Sequence, residues 1–354
     1  MKKANAIQRK KTRAVKVGKL ILGDGQPIRI QSMTKVPTRD VKATVEQIAR
    51  LTDAGCEIVR VACPNEEDVQ ALGKIKSKIT IPLVADIHFN YRFALMAIDE
   101  GVDKLRLNPG NIGDKDRIAE VVEKAKRHHI PIRIGVNSGS LEKDLMEKFG
   151  ATPEALVESV RRHVAILEGL DFCDIVISLK TTDVPAMIAA YRLASQKFDY
   201  PLHLGVTEAG TLLRGSVYNA IGVGTLLQEG IGDTIRVSLT ADPVEEVKVA
   251  KMILESLDLR QGVRVISCPT CGRSEIDTAK LALEVEARAV NLKGPLTIAV
   301  MGCVVNGPGE AQGADFAITG GQKKGMIYVA GKQVRVVDEK HLVDELFKEI
   351  HKRQ

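Results

Sequence analysis

The sequence predicts an α/β chain built as a (β/α)8 TIM barrel followed by a small α+β domain. Three observations carry that reading. A strand–turn–helix unit recurs eight times within about 230 residues, the size and count of a closed parallel barrel. The segment after the first strand, "QSMTKVPT", is not the Gly-rich phosphate turn that an open doubly wound sheet requires. From residue 258 onward the repeat stops, and three cysteines gather in what remains.

Residues 1–26 read as a basic arm and a hairpin, with "VKVGKLILGDGQPIRI" alternating apolar and polar residues around Gly23-Asp24-Gly25. The barrel spans 27–257. Its strands are the β-branched runs at 27–33, 57–63, 82–89, 104–110, 131–137, 174–180, 201–206 and 234–239. Between them lie segments such as "VKATVEQIARLTDAG" and "DRIAEVVEKAKRHH", with apolar residues at helical spacing and Gly55, Gly101 and Gly230 placed to cap helix ends. The last barrel helix, "PVEEVKVAKMILESL", finishes at Leu257. Residues 258–354 then supply a strand, the helix "IDTAKLALEVEARAV", the strand "PLTIAVMGC", a Gly-rich stretch, a β-pair, and a final helix with apolar face Leu342, Leu346, Phe347 and Ile350.

Composition excludes several functions. The formal charge is +6, but eight of the 51 basic residues and none of the 45 acidic ones lie in residues 1–20, so the body carries −2. With 3% aromatics and no Trp there is little surface for stacking bases, and the arm reads as solvated rather than as a nucleic-acid grip. No apolar run approaches the ~20 residues of a membrane span, and no secretory h-region follows the basic start. Six cysteines without a regular framework point to a reducing compartment, the cytoplasm. Cys56, Cys63 and Cys173 lie on or beside barrel strands and are expected to be buried, inert thiols.

Functional groups of such a barrel gather at the C-terminal strand ends. Here those ends are cationic: Arg60, Arg106, Arg133 and Arg236 sit between apolar strand residues, with Lys180 at the end of strand six. A buried guanidinium needs an anion, and the strands supply too few acids to match five cations. A phosphorylated or diphosphate ligand would balance them, gripped by Arg forks and Lys. Asp86 and His88 share a strand face, a lone pair that reads as hydrogen-bonding groups ahead of a barrel metal site, and Asn108, Asn137, His203 and Ser238 add polar groups. Glu208, just past strand seven in "GVTEAG", stands among the cations either as a salt-bridge partner or as a proton donor.

The pair Cys268-x-x-Cys271 in "SCPTCGR" fits either zinc or iron–sulfur. Structural zinc would want a fourth Cys or His nearby. Only Cys303 joins the pair, 32 residues after Cys271, and the domain's histidines, His341 and His351, lie in the terminal helix. Three thiolates with a weaker fourth ligand favour a [4Fe–4S] cluster with one exchangeable iron. Glu310, seven residues after Cys303 in "GCVVNGPGE", is the candidate fourth ligand, with Gly and Pro allowing a tight turn between them.

The chain resembles the 4-hydroxy-3-methylbut-2-enyl diphosphate synthase family of the methylerythritol-phosphate route to isoprenoids, over nearly its whole length. The most specific segments are "SCPTCGR", "MGCVVNGPGEA", "QSMT", "ADIHFN" and "LHLGVTEAG". The resemblance implies a barrel followed by a cluster domain, in the two-domain bacterial form. It implies a [4Fe–4S] cluster on Cys268, Cys271, Cys303 and Glu310, and a substrate site at Arg60, Arg106, Arg133, Asn137, Lys180, Glu208 and Ser238, beside which His88 is also placed. The implied reaction is reductive ring opening of 2-C-methyl-D-erythritol 2,4-cyclodiphosphate: two electrons enter, a C–O bond to phosphate breaks, and water leaves. The electrons are expected from a flavodoxin or ferredoxin, since no nucleotide fingerprint is visible.

A pterin-type barrel transferase with a structural zinc domain is the alternative, and a non-catalytic binding protein with a basic arm is a further one. Topology adds an expectation about assembly. The eighth helix leaves the chain on the face opposite the substrate site, and the few residues before Val263 span at most ~25 Å. A head-to-tail homodimer, one chain's cluster domain covering the other's barrel, follows.

Overall fold

The computed structural model of the protein describes residues 7–290, 292, 294–305, 307–321 and 324–353. The first six residues of the predicted arm therefore lie outside the described residues. The chain divides into two compact units, Met1–Leu259 and Arg260–Gln354.

The first unit opens with a hairpin, β1 (Val15–Val17) and β2 (Leu20–Leu22). Its register pairs Val15 with Leu22 and Val17 with Leu20, so the turn is Gly18-Lys19 rather than the expected Gly23-Asp24-Gly25. Gly18 at φ +57 supplies the positive φ that a two-residue hairpin turn demands. Eight parallel strands follow: β3 (Arg29–Met33), β4 (Ile58–Ala62), β5 (Leu83–Asp86), β6 (Lys104–Arg106), β7 (Ile132–Asn137), β8 (Ile175–Lys180), β9 (His203–Leu204) and β10 (Thr234–Ile235). They order as β8-β7-β6-β5-β4-β3-β10-β9, and a parallel bridge from Ile177 to Leu202 joins the two ends into a barrel. Helices alternate with them, several capped by an aspartate: Asp40, Asp114 and Asp183 accept from the backbone N–H of Ala43, Arg117 and Ala186 at 3.0, 3.1 and 2.7 Å. Gly55, Gly101 and Gly230 take positive φ at helix ends, as the spacing predicts.

The hairpin plugs one end of the barrel. Val15, Val17 and Leu22 pack with Ile58, Val84 and Val176, which stand at the starts of β4, β5 and β8. The arm is solvated only in part: Lys11, Lys16 and Lys19 are exposed, but other cations dock on the barrel. Arg9 donates to Gly232 O at 3.1 Å, to Asp233 Oδ1 at 2.9 Å and to Gln26 O, Lys10 to Phe198 O at 3.0 Å, and Arg13 to Asp199 Oδ2 at 2.9 Å. These cations satisfy carbonyls and carboxylates of loops that precede strands, which ties the arm to the barrel floor. Cys56 and Cys63 are buried, and burial pushes both thiols up to about 12. Cys173 is exposed, against expectation, because it sits in the loop ahead of β8 rather than on the strand.

The second unit holds a five-stranded sheet, β11 (Val263–Ser267), β12 (Leu296–Met301), β13 (Phe316–Gly321), β14 (Lys324–Val329) and β15 (Lys332–Asp338), in that order. The first three strands are parallel and the last two antiparallel. Helices Thr278–Ala289 and Leu342–His351 bury Leu281, Val285, Leu342, Leu346, Phe347 and Ile350 against Ile298, Ile318 and Ile327 of the sheet. The Gly-rich stretch contains the short helix Gly307–Gly313 and β13, where bare Gly307 allows Thr319 to pack closely. No helix among the described residues is long and apolar enough to cross a membrane.

Candidate active site

Arg106 and Lys180 close β6 and β8, Arg60 lies within β4, Arg133 is the second residue of β7, and Arg236 follows β10. Asp86, 4% exposed at the end of β5, serves two of them: Arg106 Nη1 lies 3.1 Å from Oδ1, and Arg60 Nε lies 3.6 Å from Oδ2. Burial alone would raise Asp86, but the two guanidiniums outweigh it and hold the carboxyl down at about 2. Arg106 also donates to Gly135 O at 2.8 Å; a Cβ on Gly135 would meet Arg106 Nε at 2.6 Å, so glycine clears the space for the fork. Asn108 fixes the same turn, donating to Gly135 O at 3.1 Å and accepting from Gly135 N at 2.8 Å.

Arg236 has a different acid, one that the strands did not reveal. Glu246 comes from helix Pro243–Ser256, 3.6 Å from Arg236 Nη2 and 3.1 Å from Lys35 Nζ, while accepting from Ser32 Oγ at 3.2 Å. Ion pairs inside the barrel, the alternative to a bound anion, thus serve Arg60, Arg106 and Arg236. They serve neither Arg133 nor Lys180 among the described residues. Arg133 is 1% exposed, and its Nε and Nη2 have no hydrogen-bond partner. Burial holds both groups well below their ordinary values, and the neighbouring guanidiniums add to that. Asp86 is the acid that acts on Arg133, already shared by two other guanidiniums, and neither Arg133 nor Lys180 has an ion pair among the described residues; an anionic ligand would complete such a pair.

The remaining barrel positions are less tightly gathered. Asn137 ends β7 half-buried and sits in register with Lys180; Ser238 lies half-buried beyond β10. His88 falls two residues after β5, largely exposed, with Nε2 4.0 Å from Asp86 Oδ1. Glu208 is exposed on the loop after β9 and holds φ at +52. That conformation is costly for a side chain bearing a Cβ, and strain of this kind concentrates at functional sites. Sequence reasoning missed Lys104. It precedes Arg106 by two residues on β6, so the period-2 signal was present, and it is fully buried.

In the second unit the cysteines lie at neighbouring strand ends. Cys268 directly follows β11 and donates its N–H to Val300 O at 3.0 Å on β12, and Cys303 lies two residues past β12. The loop bearing Cys271 is tied to Gly302 by Glu275 N–H at 2.9 Å. Arg273 brings the three together: its backbone N–H and guanidinium hold the Cys271 thiol below its usual value, and Arg273 itself is raised by Cys271 first, then Cys303 and Cys268. Glu310 is exposed in the first turn of helix Gly307–Gly313. Among the described residues no three His, Cys, Asp or Glu side chains stand close enough to hold a single metal ion. A cubane cluster binds one ligand at each of four iron corners, so its ligands stand further apart than those of one ion. Three thiols around one loop pair suit that donor set.

Fold and side chains together define a (β/α)8-barrel enzyme with a group of buried cations in its barrel and three cysteines in its second unit. The GcpE TIM-barrel domain matches residues 12–251, and the GcpE protein C-terminal domain matches residues 264–352. The chain belongs to the GcpE family. Similar proteins include the 4-hydroxy-3-methylbut-2-en-1-yl diphosphate synthase (flavodoxin) of Caldanaerobacter subterraneus subsp. tengcongensis, 59% identical over 97% of this chain and 98% of that protein. The protein of the same name from Thermodesulfovibrio yellowstonii is 56% identical over 98% and 100%. Among solved structures, dihydropteroate synthase from Yersinia pestis covers 69% of this chain and 97% of its own at 12% identity, with a TM-score of 0.48.

Proposed function

We propose that this chain performs the two-electron reductive ring opening and dehydration of 2-C-methyl-D-erythritol 2,4-cyclodiphosphate to 4-hydroxy-3-methylbut-2-enyl diphosphate, in the cytoplasm. The observation that supports the site assignment is the buried pair Arg133 and Lys180 in the barrel, which make no ion pair among the described residues, in a chain whose relatives bear that synthase name. Arg60, Arg106, Arg133 and Lys180 grip the two phosphates, while Asn137, Ser238 and His88 orient the carbon skeleton by hydrogen bonds. Glu208, held at φ +52 on the loop after β9, delivers a proton to the departing hydroxyl in this reading.

Cys268, Cys271, Cys303 and Glu310 hold a [4Fe–4S] cluster, Glu310 being the weaker and exchangeable ligand. When bound, such a cluster supplies electrons one at a time. A flavodoxin is the donor in this reading, consistent with the relatives' printed name. Residues 27–257 form the substrate domain and 258–354 the cluster domain. The last barrel helix ends at Ser256 and β11 begins at Val263, so the short linker supports a head-to-tail homodimer that joins one chain's cluster to its partner's barrel.

The test is metal and acid-labile sulfide analysis of anaerobically purified protein, with a visible spectrum and conversion of the cyclodiphosphate under a reduced flavodoxin. About four iron and four sulfide per chain, with product formation, are expected. A colourless protein holding stoichiometric zinc and inert towards the cyclodiphosphate would overturn the reading in favour of the zinc-bearing transferase.

A further inference from the structure

Beneath the cationic mouth lies a second polar tier. Lys104 on β6, Gln31 on β3 and His203 on β9 are all 1% exposed or less, among the most buried side chains of the molecule. Their surroundings offer almost nothing to a positive charge. Among the described residues Lys104 Nζ has one long hydrogen bond, to Gln31 Oε1 at 3.4 Å, and no ion pair. Gln31 Nε2 and His203 Nε2 have no partner, while His203 Nδ1 meets Thr234 Oγ1 at 2.8 Å.

The charged groups facing Lys104 are of its own sign. Arg133 on β7 and Arg60 on β4 both bear on it. The acids Asp86 and Glu246 are already committed, the first to Arg60 and Arg106, the second to Arg236 and Lys35. Burial first, then Arg133 and Arg60, bring the Lys104 ammonium down to about 7. His203 is likewise held well below its ordinary value by burial and the same cations.

We propose that Lys104 is a proton-uptake group for ligand binding: it takes a proton from solvent as a dianionic phosphate ligand settles against Arg133 and Lys180. The dianion supplies the counter-charge that the tier lacks, so the ammonium form becomes the stable one. Binding at mildly alkaline pH therefore carries a proton into the barrel interior. This inference rests on the reading that the barrel mouth holds the cyclic diphosphate.

Titration calorimetry tests it on the full chain, anaerobic and without reductant so that nothing turns over. The cyclodiphosphate is injected at about pH 8 in buffers of different ionisation enthalpy, and the slope of heat against that enthalpy counts protons. Each phosphate of this ligand has one hydroxyl, ionised far below neutrality, so uptake belongs to the protein. The expected result is net uptake in the parent chain, lowered by close to one proton in Lys104→Met and Lys104→Gln, with affinity falling towards tenfold per pH unit above about pH 8 in the parent alone. Binding without uptake in the parent overturns the proposal, with no variant needed. Undiminished uptake in whichever variant folds overturns it too, assigning the proton to Lys180 or His203. Absence of any binding by the parent defeats instead the reading of the barrel mouth.

Discussion

Arg106 and Asp86 face each other across adjacent parallel strands, Nη1 to Oδ1 at 3.1 Å, and Arg60 closes on the other oxygen of the same carboxylate at 3.6 Å. One acid thus serves two guanidiniums. The third guanidinium of that ring, Arg133, is left with two unpartnered nitrogens.

That asymmetry predicts which cation matters most for the ligand. Arg133→Met should weaken cyclodiphosphate binding by at least ~2 kcal/mol, the scale of a lost charge-assisted contact in a buried site. The empty protein should be no less stable, since an uncompensated buried charge is removed. Calorimetric affinity and a urea midpoint check both halves. Unchanged affinity would return Arg133 to a structural role.

Glu208→Gln keeps size and hydrogen bonding but removes the acidic proton. Turnover should fall at least ~100-fold with substrate affinity retained, read as a loss of kcat at little change in binding. Lost affinity with full turnover at saturation would make Glu208 a positioning residue.

For the second unit, Cys303→Ser should largely prevent cluster assembly, while Glu310→Ala should assemble a cluster that bleaches faster in air. Iron and sulfide content per chain, followed over time, separate the two. Identical lability of Glu310→Ala and parent clusters would remove Glu310 from the ligand set.

Lys104 also makes a prediction about the empty protein. Its folded pKa, about 7, lies below the 10.5 of an ordinary lysine, so between these values the unfolded chain binds more protons and stability rises with pH. Lys104→Met should flatten that rise and stabilise the folded chain near pH 7. The contrast is best read below about pH 8.5, because Cys56 and Cys63, pushed up to about 12, act in the opposite sense once free thiols ionise. Parallel stability curves for parent and variant would show that Lys104 is charged in both states.

Subunit mixing tests the head-to-tail arrangement. Glu208→Gln has a dead barrel and Cys268→Ser a dead cluster, so a mixed dimer regains one barrel facing one intact cluster. Activity should reappear when the two inactive chains exchange subunits. A mixture that stays inactive despite proven exchange would place both halves of the site within one chain.

The sequence by itself determined the barrel. Period-2 runs such as "PIRIGVN" and "DIVISLK" became β7 and β8 at nearly the expected bounds, because short β-branched runs flanked by turns and helical repeats leave few other packings. It also determined which cations point inward, since side-chain direction on a strand follows from spacing alone. Tertiary structure decided their partners. Glu246 reaches Arg236 from a helix, and no strand periodicity shows a helix side chain bending back to a strand end. Closure of the barrel likewise buried Lys104 among like charges, and bound Arg9 and Arg13 of the arm to Asp233 and Asp199, residues far away in sequence. The hairpin turned at Gly18 because Val15, Val17 and Leu22 had to meet the starts of β4, β5 and β8. Pairings of this kind depend on distances between segments remote along the chain, which local pattern does not carry.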